Sequence, residues 1–285
     1  MAKKPASRTA PTRSKVSRAV PKKKPASKPA SKKPAPKKSP RAKATREKLA
    51  PKPASSAKTK PKSPAHELLL RRVDFREVAS DYAERLAVHG HLVDLFRRGR
   101  AGTYAVAALG MVEPMANQSA REHDLGPRIL RRCSPQRILD LARSLMALPD
   151  CAELPSAVRA ADIDWLKISA ASEMAAMLDP SRFWVTNLRT VWAHRLVSQN
   201  WNAAKADEEL RLYRDYERDA AMEFGMWSGL HREVGPSLQR LARLGGEAAR
   251  AKKAPVGEHP YLWAGSLAAW LFEHRALPAQ GAGRG

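Results

Sequence analysis

Residues 134–148 read SPQRILDLARSLMAL, and this stretch decides the fold class. Ser134 is an N-cap residue type, able to accept from the free amides of a first helical turn. Pro135 suits the first helical position, where no backbone donor is needed. A helix to about Leu148 follows. Outward from it the same period continues. From His66 onward, Leu69, Val73, Val78, Tyr82, Leu86, Leu92, Val93 and Phe96 recur at threes and fours, with Arg, Asp and Glu between them. Asp179-Pro180 repeats the start signal for a helix to about Gln199, while Pro149, Pro155 and the Gly235-Pro236 pair read as breaks.

The spacing predicts helices near 66–88, 91–98, 102–118, 127–132, 135–147, 156–178, 180–199, 203–232, 236–250 and 260–275. No stretch alternates at period two for long enough to make a strand, and 103–112 alone is compatible with either state. The expected architecture is all-α: a helical, bundle-like globular domain over 65–276, preceded by a tail at 1–64 and followed by a flexible Gly-rich C-terminus at 277–285. The longest apolar runs, 103–112 and 261–272, fall well short of the roughly twenty residues that span a bilayer. Free thiols in a reducing compartment are expected for Cys133 and Cys151, which match no metal-binding spacing.

The tail is a different polymer. Residues 1–64 hold 17 Lys and 5 Arg against the single acid Glu47, a net of +21 out of +24 for the whole chain, which leaves +3 for residues 65–285. They also hold 12 of the 22 prolines and no aromatic residue. Pro-Ala-Ser recurs at Pro5, Pro25, Pro29 and Pro53, usually behind lysine. Proline stops helix propagation, and Lys, Ala and Ser bury too little apolar surface to offset ordering entropy, so an extended, solvated chain is expected.

Such a chain matches a thread of phosphates. The expected nucleic-acid contacts are Lys3, Lys4, Lys22, Lys23, Lys24, Lys28, Lys32, Lys33, Lys37, Lys38, Arg41 and Lys43. Without aromatics to stack on bases or an ordered element to enter a groove, binding to duplex DNA or another polyanion should ignore sequence.

The Lys/Ala/Pro/Ser mixture, with its Ser39-Pro40-Arg41 step, resembles the terminal domains of linker histones and the Lys-Pro-Ala tails of bacterial histone-like proteins. In those families such tails coat and condense DNA, and the resemblance implies the same here, over residues 1–64 only. Pro21 to Pro25, PKKKP, also looks like a short nuclear-import signal. A cytoplasmic, nucleoid-associated location is expected, or a nuclear one in a eukaryote. Similar tails occur on phasin-type proteins that link polyester granules to the nucleoid, which implies a tethering role as an alternative.

In the body the cations are 26 Arg against 4 Lys. Several sit near acids at helical spacing, such as Asp215 with Arg218 and Arg214 with Glu217. The run Arg97-Arg98-Gly99-Arg100-Ala101-Gly102 contains no acid and reads as a turn, so Arg97, Arg98 and Arg100 are candidate phosphate contacts. Residues 129–146 allow a helix-turn-helix, with Arg128, Arg131, Arg132, Arg137 and Arg143 along it.

No phosphate loop, nucleophile elbow or metalloprotease motif is present, and no cofactor or metal is expected. One stripe stands out. Asn187, Thr190, His194 and Ser198 follow one helical face among Phe183, Trp184, Leu188, Val191, Trp192 and Leu196. It reads either as a polar seam between packed helices or as a pocket with His194 as its acid–base group, the basis of an enzyme alternative. Seven tryptophans fit core positions; 261–272 reads first as buried core, and otherwise as an exposed helix that docks a partner or a second copy.

Overall fold

The computed structural model describes residues 65–114, 116–214 and 220–275. The expected tail with its candidate contacts, the 277–285 segment and the two expected ion pairs within 214–218 lie outside the described residues or side chains. Among the described residues the body is all-helical, with twelve α-helices, one short 3₁₀ turn and no strand. Among the described residues no helix is long and apolar enough to cross a membrane.

The start signal at Ser134 is used as read. Helix α6 spans Pro135–Met146, the Ser134 hydroxyl accepts from Arg137 N, and Ile138, Leu139, Leu141, Ala142 and Leu145 form its buried face. Its partners are α3 (Ala101–Ala108), α7 (Leu154–Ala161) and α8 (Ile168–Leu178). Ten of the eleven residues of α8 are buried. Helix α12, Pro260–Glu273, is apolar on nearly every side, and a helix of that kind belongs in a core. It packs on α2 (Phe75–Arg97), α9 (Leu188–Ser198) and α11 (Ala220–Ala251). Its Trp263 lies stacked on Phe75 and edge-on to Tyr82. A Cβ on Gly245 of α11 would fall 2.3 Å from Leu267 Cδ2, so glycine lets these two helices approach closely. The 261–272 segment is therefore core, not an exposed docking helix.

Several boundaries differ from expectation. The first helical region breaks at 71–74, between α1 (Ala65–Leu70) and α2, because Asp74 caps Arg76 N at 2.9 Å. Lys252 secures that break by donating to Arg71 O and Val73 O. Helix α2 then runs unbroken past His89, Gly90 and His91. The 102–118 region stops at Ala108, where Gly110 takes φ +66° and Asn117 O would sit 2.4 Å from any Cβ. It resumes as α4, Gln118–Glu122, followed by α5, Leu125–Leu130.

The 156–178 region is two helices, α7 and α8, separated by a loop with Asp162 at φ +46° and Trp165 at φ +68°. The 180–199 helix begins only at Leu188, since Asn187 and Thr190 form a reciprocal capping box there. Helix α10, Ala203–Arg214, is followed by a single 32-residue α11 that passes through Gly235 and Pro236 without a break.

Candidate ligand cavity and basic surface

The polar stripe divides among three tasks. Asn187 and Thr190 build the α9 cap, with Asn187 Oδ1 accepting from Arg189 N and Thr190 N and Thr190 Oγ1 accepting from Asn187 N. Ser198 Oγ donates back to Arg195 O within the helix. His194 is buried and faces α11, with Nδ1 2.8 Å from Ser237 Oγ. Its Nε2 has the Glu233 carboxylate at 3.5 Å, outside good hydrogen-bond geometry. Burial and then the neighbouring Arg195 charge push its pKa down, against the pull of Glu233, so the ring is held neutral.

The hydroxyl–imidazole–carboxylate order is that of a nucleophilic triad, yet Ser237 and Glu233 lie one turn apart on a single helix, whose interior amides are spent on its own hydrogen bonds. Asn187 lines a cavity whose lining does not include Thr190, His194 or Ser198. The seam reading is the one the packing supports.

That cavity, of about 560 Å³, was not foreseen. Six segments converge on it: α4 with His123 behind it, the Trp165 loop, the start of α8, the start of α9, Tyr213 of α10 and the first turns of α11. Its wall carries Trp165, Leu166, Ile168, Leu188, Phe224, Met226 and Trp227. The loop aims Trp165 through its positive φ, leaves it half-exposed, and sets the Arg128 guanidinium 5.4 Å from the ring centre. Lys167 pairs with Glu223 at 3.1 Å, joining the loop to α11.

The cavity's other carboxylate, Glu122, is also committed. Burial opposes its ionisation, but hydrogen bonds from Gln118 and Arg189 and the Arg189 charge outweigh it and hold its pKa below the usual carboxylate range. Ser119 is buried; its amide donates to the Glu173 carboxylate at 2.9 Å, while its Oγ has no hydrogen-bond partner among the described residues. Lys167, the N-cap residue of α8, makes no side-chain capping bond.

On another part of the body, Arg97, Arg98 and Arg100 are exposed in the turn between α2 and α3. Arg98 pairs with Asp94 at 2.9 Å. Gly99, at φ +64°, brings the turn to α6, with Arg143 3.7 Å from where a Cβ would be. The helix-turn-helix reading fares less well. Helix α5 packs mainly on α4, and Arg137 spends its guanidinium on Ala161 O and Asp162 O at the end of α7. Arg132 pairs with Asp164 and Arg143 with Asp140.

No protein-family model, no curated protein and no solved structure matches this chain. The residues themselves must carry any functional reading.

Proposed function

We propose that this is a DNA-associated accessory protein whose residues 1–64 neutralise phosphates without reading sequence. The helical body is proposed to act as a separate functional module, docking a partner or associating with itself. The observation that carries the reading is the concentration of +21 charges in 64 residues, against +3 for all the rest. The exposed Arg97–Arg100 turn beside Arg143 supports a small extension of the same footprint.

Each neutralised phosphate releases counterions, so ten contacts would give a log–log salt slope of about −9 on duplex DNA. The test is binding of the full chain to a 40-base-pair duplex across a salt series, beside a chain with all 17 tail lysines changed to glutamine. The expected result is a steep, sequence-independent slope for the native chain and at least a ~100-fold loss for the variant at low salt, as removal of most contacts requires. Undiminished binding by the variant, with a preference for one duplex over another, would overturn the reading and make the Arg97–Arg100 region the reader.

A further inference from the structure

A second concentration of cations lies on the body, where α11 ends against the break between α1 and α2. A cleft of about 410 Å³ there is lined by Arg72, Arg76, Lys252 and Lys253 against the single carboxylate Asp74. That imbalance equals the net +3 of all residues 65–285, so the remainder of the body sums to zero. Asp74 is committed to Arg76 N as the α2 cap, and Glu67 of α1 pairs with Arg71 at 3.7 Å. Lys252 is spent on Arg71 O and Val73 O and sits 5.3 Å from the centre of the Phe75 ring, which ties the two walls together. Arg76 and Lys253 are exposed and have no ion-pair partner among the described residues. Lys253 follows the end of α11 at φ +56°, with Ala254 N bonded to Ala249 O, a helix-ending position that favours glycine. A lysine there complements the α11 dipole, but Arg72 and Arg76 stand at the N-terminal end of α2, where the dipole disfavours cations. The helices' own electrostatics do not account for this cluster.

We propose that this cleft is a second phosphate-contact site, taking the backbone of the same DNA duplex that the tail holds; the inference rests on the reading of residues 1–64 as a phosphate-binding thread. Tail charge runs up to Lys62, and chain geometry keeps Lys62 within roughly 11 Å of Ala65, the first residue of α1. Helix α1 has six residues, about 9 Å of rise, and packs on α11, with His66, Glu67 and Leu70 beside Lys252. A duplex bound through the last tail lysines is therefore tethered near the cleft at a millimolar effective concentration, and a few contacts too weak to act alone are engaged. Arg72, Arg76 and Lys253 supply those contacts as charge-assisted hydrogen bonds to phosphate oxygens. Phe75, the cleft's aromatic residue, is buried and covered by Lys252, so no base stacks there and the contact adds no sequence preference. What it adds is orientation. The tail alone leaves the body free to turn about the duplex, whereas the cleft presents one fixed face of it to DNA.

The test is titration of the full chain with a 40-base-pair duplex across a salt series. Arg72→Gln/Arg76→Gln/Lys253→Gly is compared with Arg211→Gln/Arg232→Gln/Arg240→Gln, which removes the same charge from exposed positions elsewhere on the body. Lys253→Gly relieves the positive φ, and Arg72 and Arg76 are exposed, so the cleft variant should fold. It should lower the salt slope by about 2–3, at about 0.9 per contact, and weaken binding at least ~10-fold at about 0.1 M salt, while the control variant stays within about twofold of the native chain. Acetylation of the full chain should find Lys253 protected by the duplex and the exposed Lys205 still reactive. The same slope in the cleft variant as in the control, or Lys253 as reactive with duplex as without it, would overturn the cleft, while a steep slope for the native chain would leave the tail reading standing. A native chain that fails to bind the duplex would overturn both.

Discussion

His231 is fully buried and ties three segments together. Cys151 O, 3.1 Å from Nε2, can only accept, so Nε2 carries the proton and Nδ1 accepts from Thr186 Oγ1 at 2.7 Å. Trp184 stacks on the ring and donates its indole N–H to His231 O. Burial pushes the imidazole pKa down to about 4. The native state therefore refuses a proton that the unfolded chain takes up below about pH 6.5. This stability is fully present above the unfolded pKa and is lost as pH falls from about 6.5 towards 4. Urea titrations of the full chain should show a loss of about 2 kcal/mol between pH 7.5 and pH 5 from this residue, with His194 adding in the same direction. His231→Gln should be less stable at pH 7.5 and show a flatter pH profile; an unchanged profile would mean that the ring takes up its proton equally readily in the folded and unfolded chain.

At the scale of elements, Pro236 is the clearest test of what holds α11 together. A proline inside a helix removes one hydrogen bond and crowds the preceding turn, at a cost of about 3 kcal/mol. Pro236 and Arg232 are both exposed, so water can serve the freed carbonyl while Val234, Gly235 and Leu238 stay buried against the core. Pro236→Ala should therefore raise stability by about 1–3 kcal/mol in chemical denaturation, and a decrease would show that the proline sets a bend the packing needs. The same residue explains part of what the sequence made legible. Helices α6 and α12 were readable because Ser134-Pro135 and the dense apolar run at 261–272 are local signals. Helix α11 was not, because burial of its far side overrides the Gly235-Pro236 break. Asp179-Pro180 misled for the opposite reason: a good start signal stands eight residues ahead of the Asn187–Thr190 capping box that sets the true start. The surplus of tryptophans was visible, but a cavity made by Trp165 and Trp227 depends on a loop and a helix more than sixty residues apart, which no local pattern reports.

At the scale of the whole molecule, charge and packing are kept apart along the chain. Almost all body cations are arginines, and many are held by intramolecular partners: Arg137 closes α7, Arg189 bridges Glu122 and Glu273, and Arg195 bonds Tyr213 and Glu209. Guanidinium suits that work, since its planar fork satisfies several acceptors at once. The tail instead uses 17 lysines, compact hydrated charges separated by proline, and only 5 arginines. If those lysines act as a redundant counterion-releasing thread, their order should not matter and their number should. A full-length chain with residues 1–64 scrambled at fixed composition should bind a 40-base-pair duplex within about twofold of the native chain, with the same salt slope. Changing any six tail lysines to glutamine should reduce the slope by about 5, whichever six are chosen, because each lost phosphate contact removes about 0.9. A strong dependence on which six would mean that particular lysines occupy defined positions on DNA, and the tail would then be a structured reader instead of a diffuse cation.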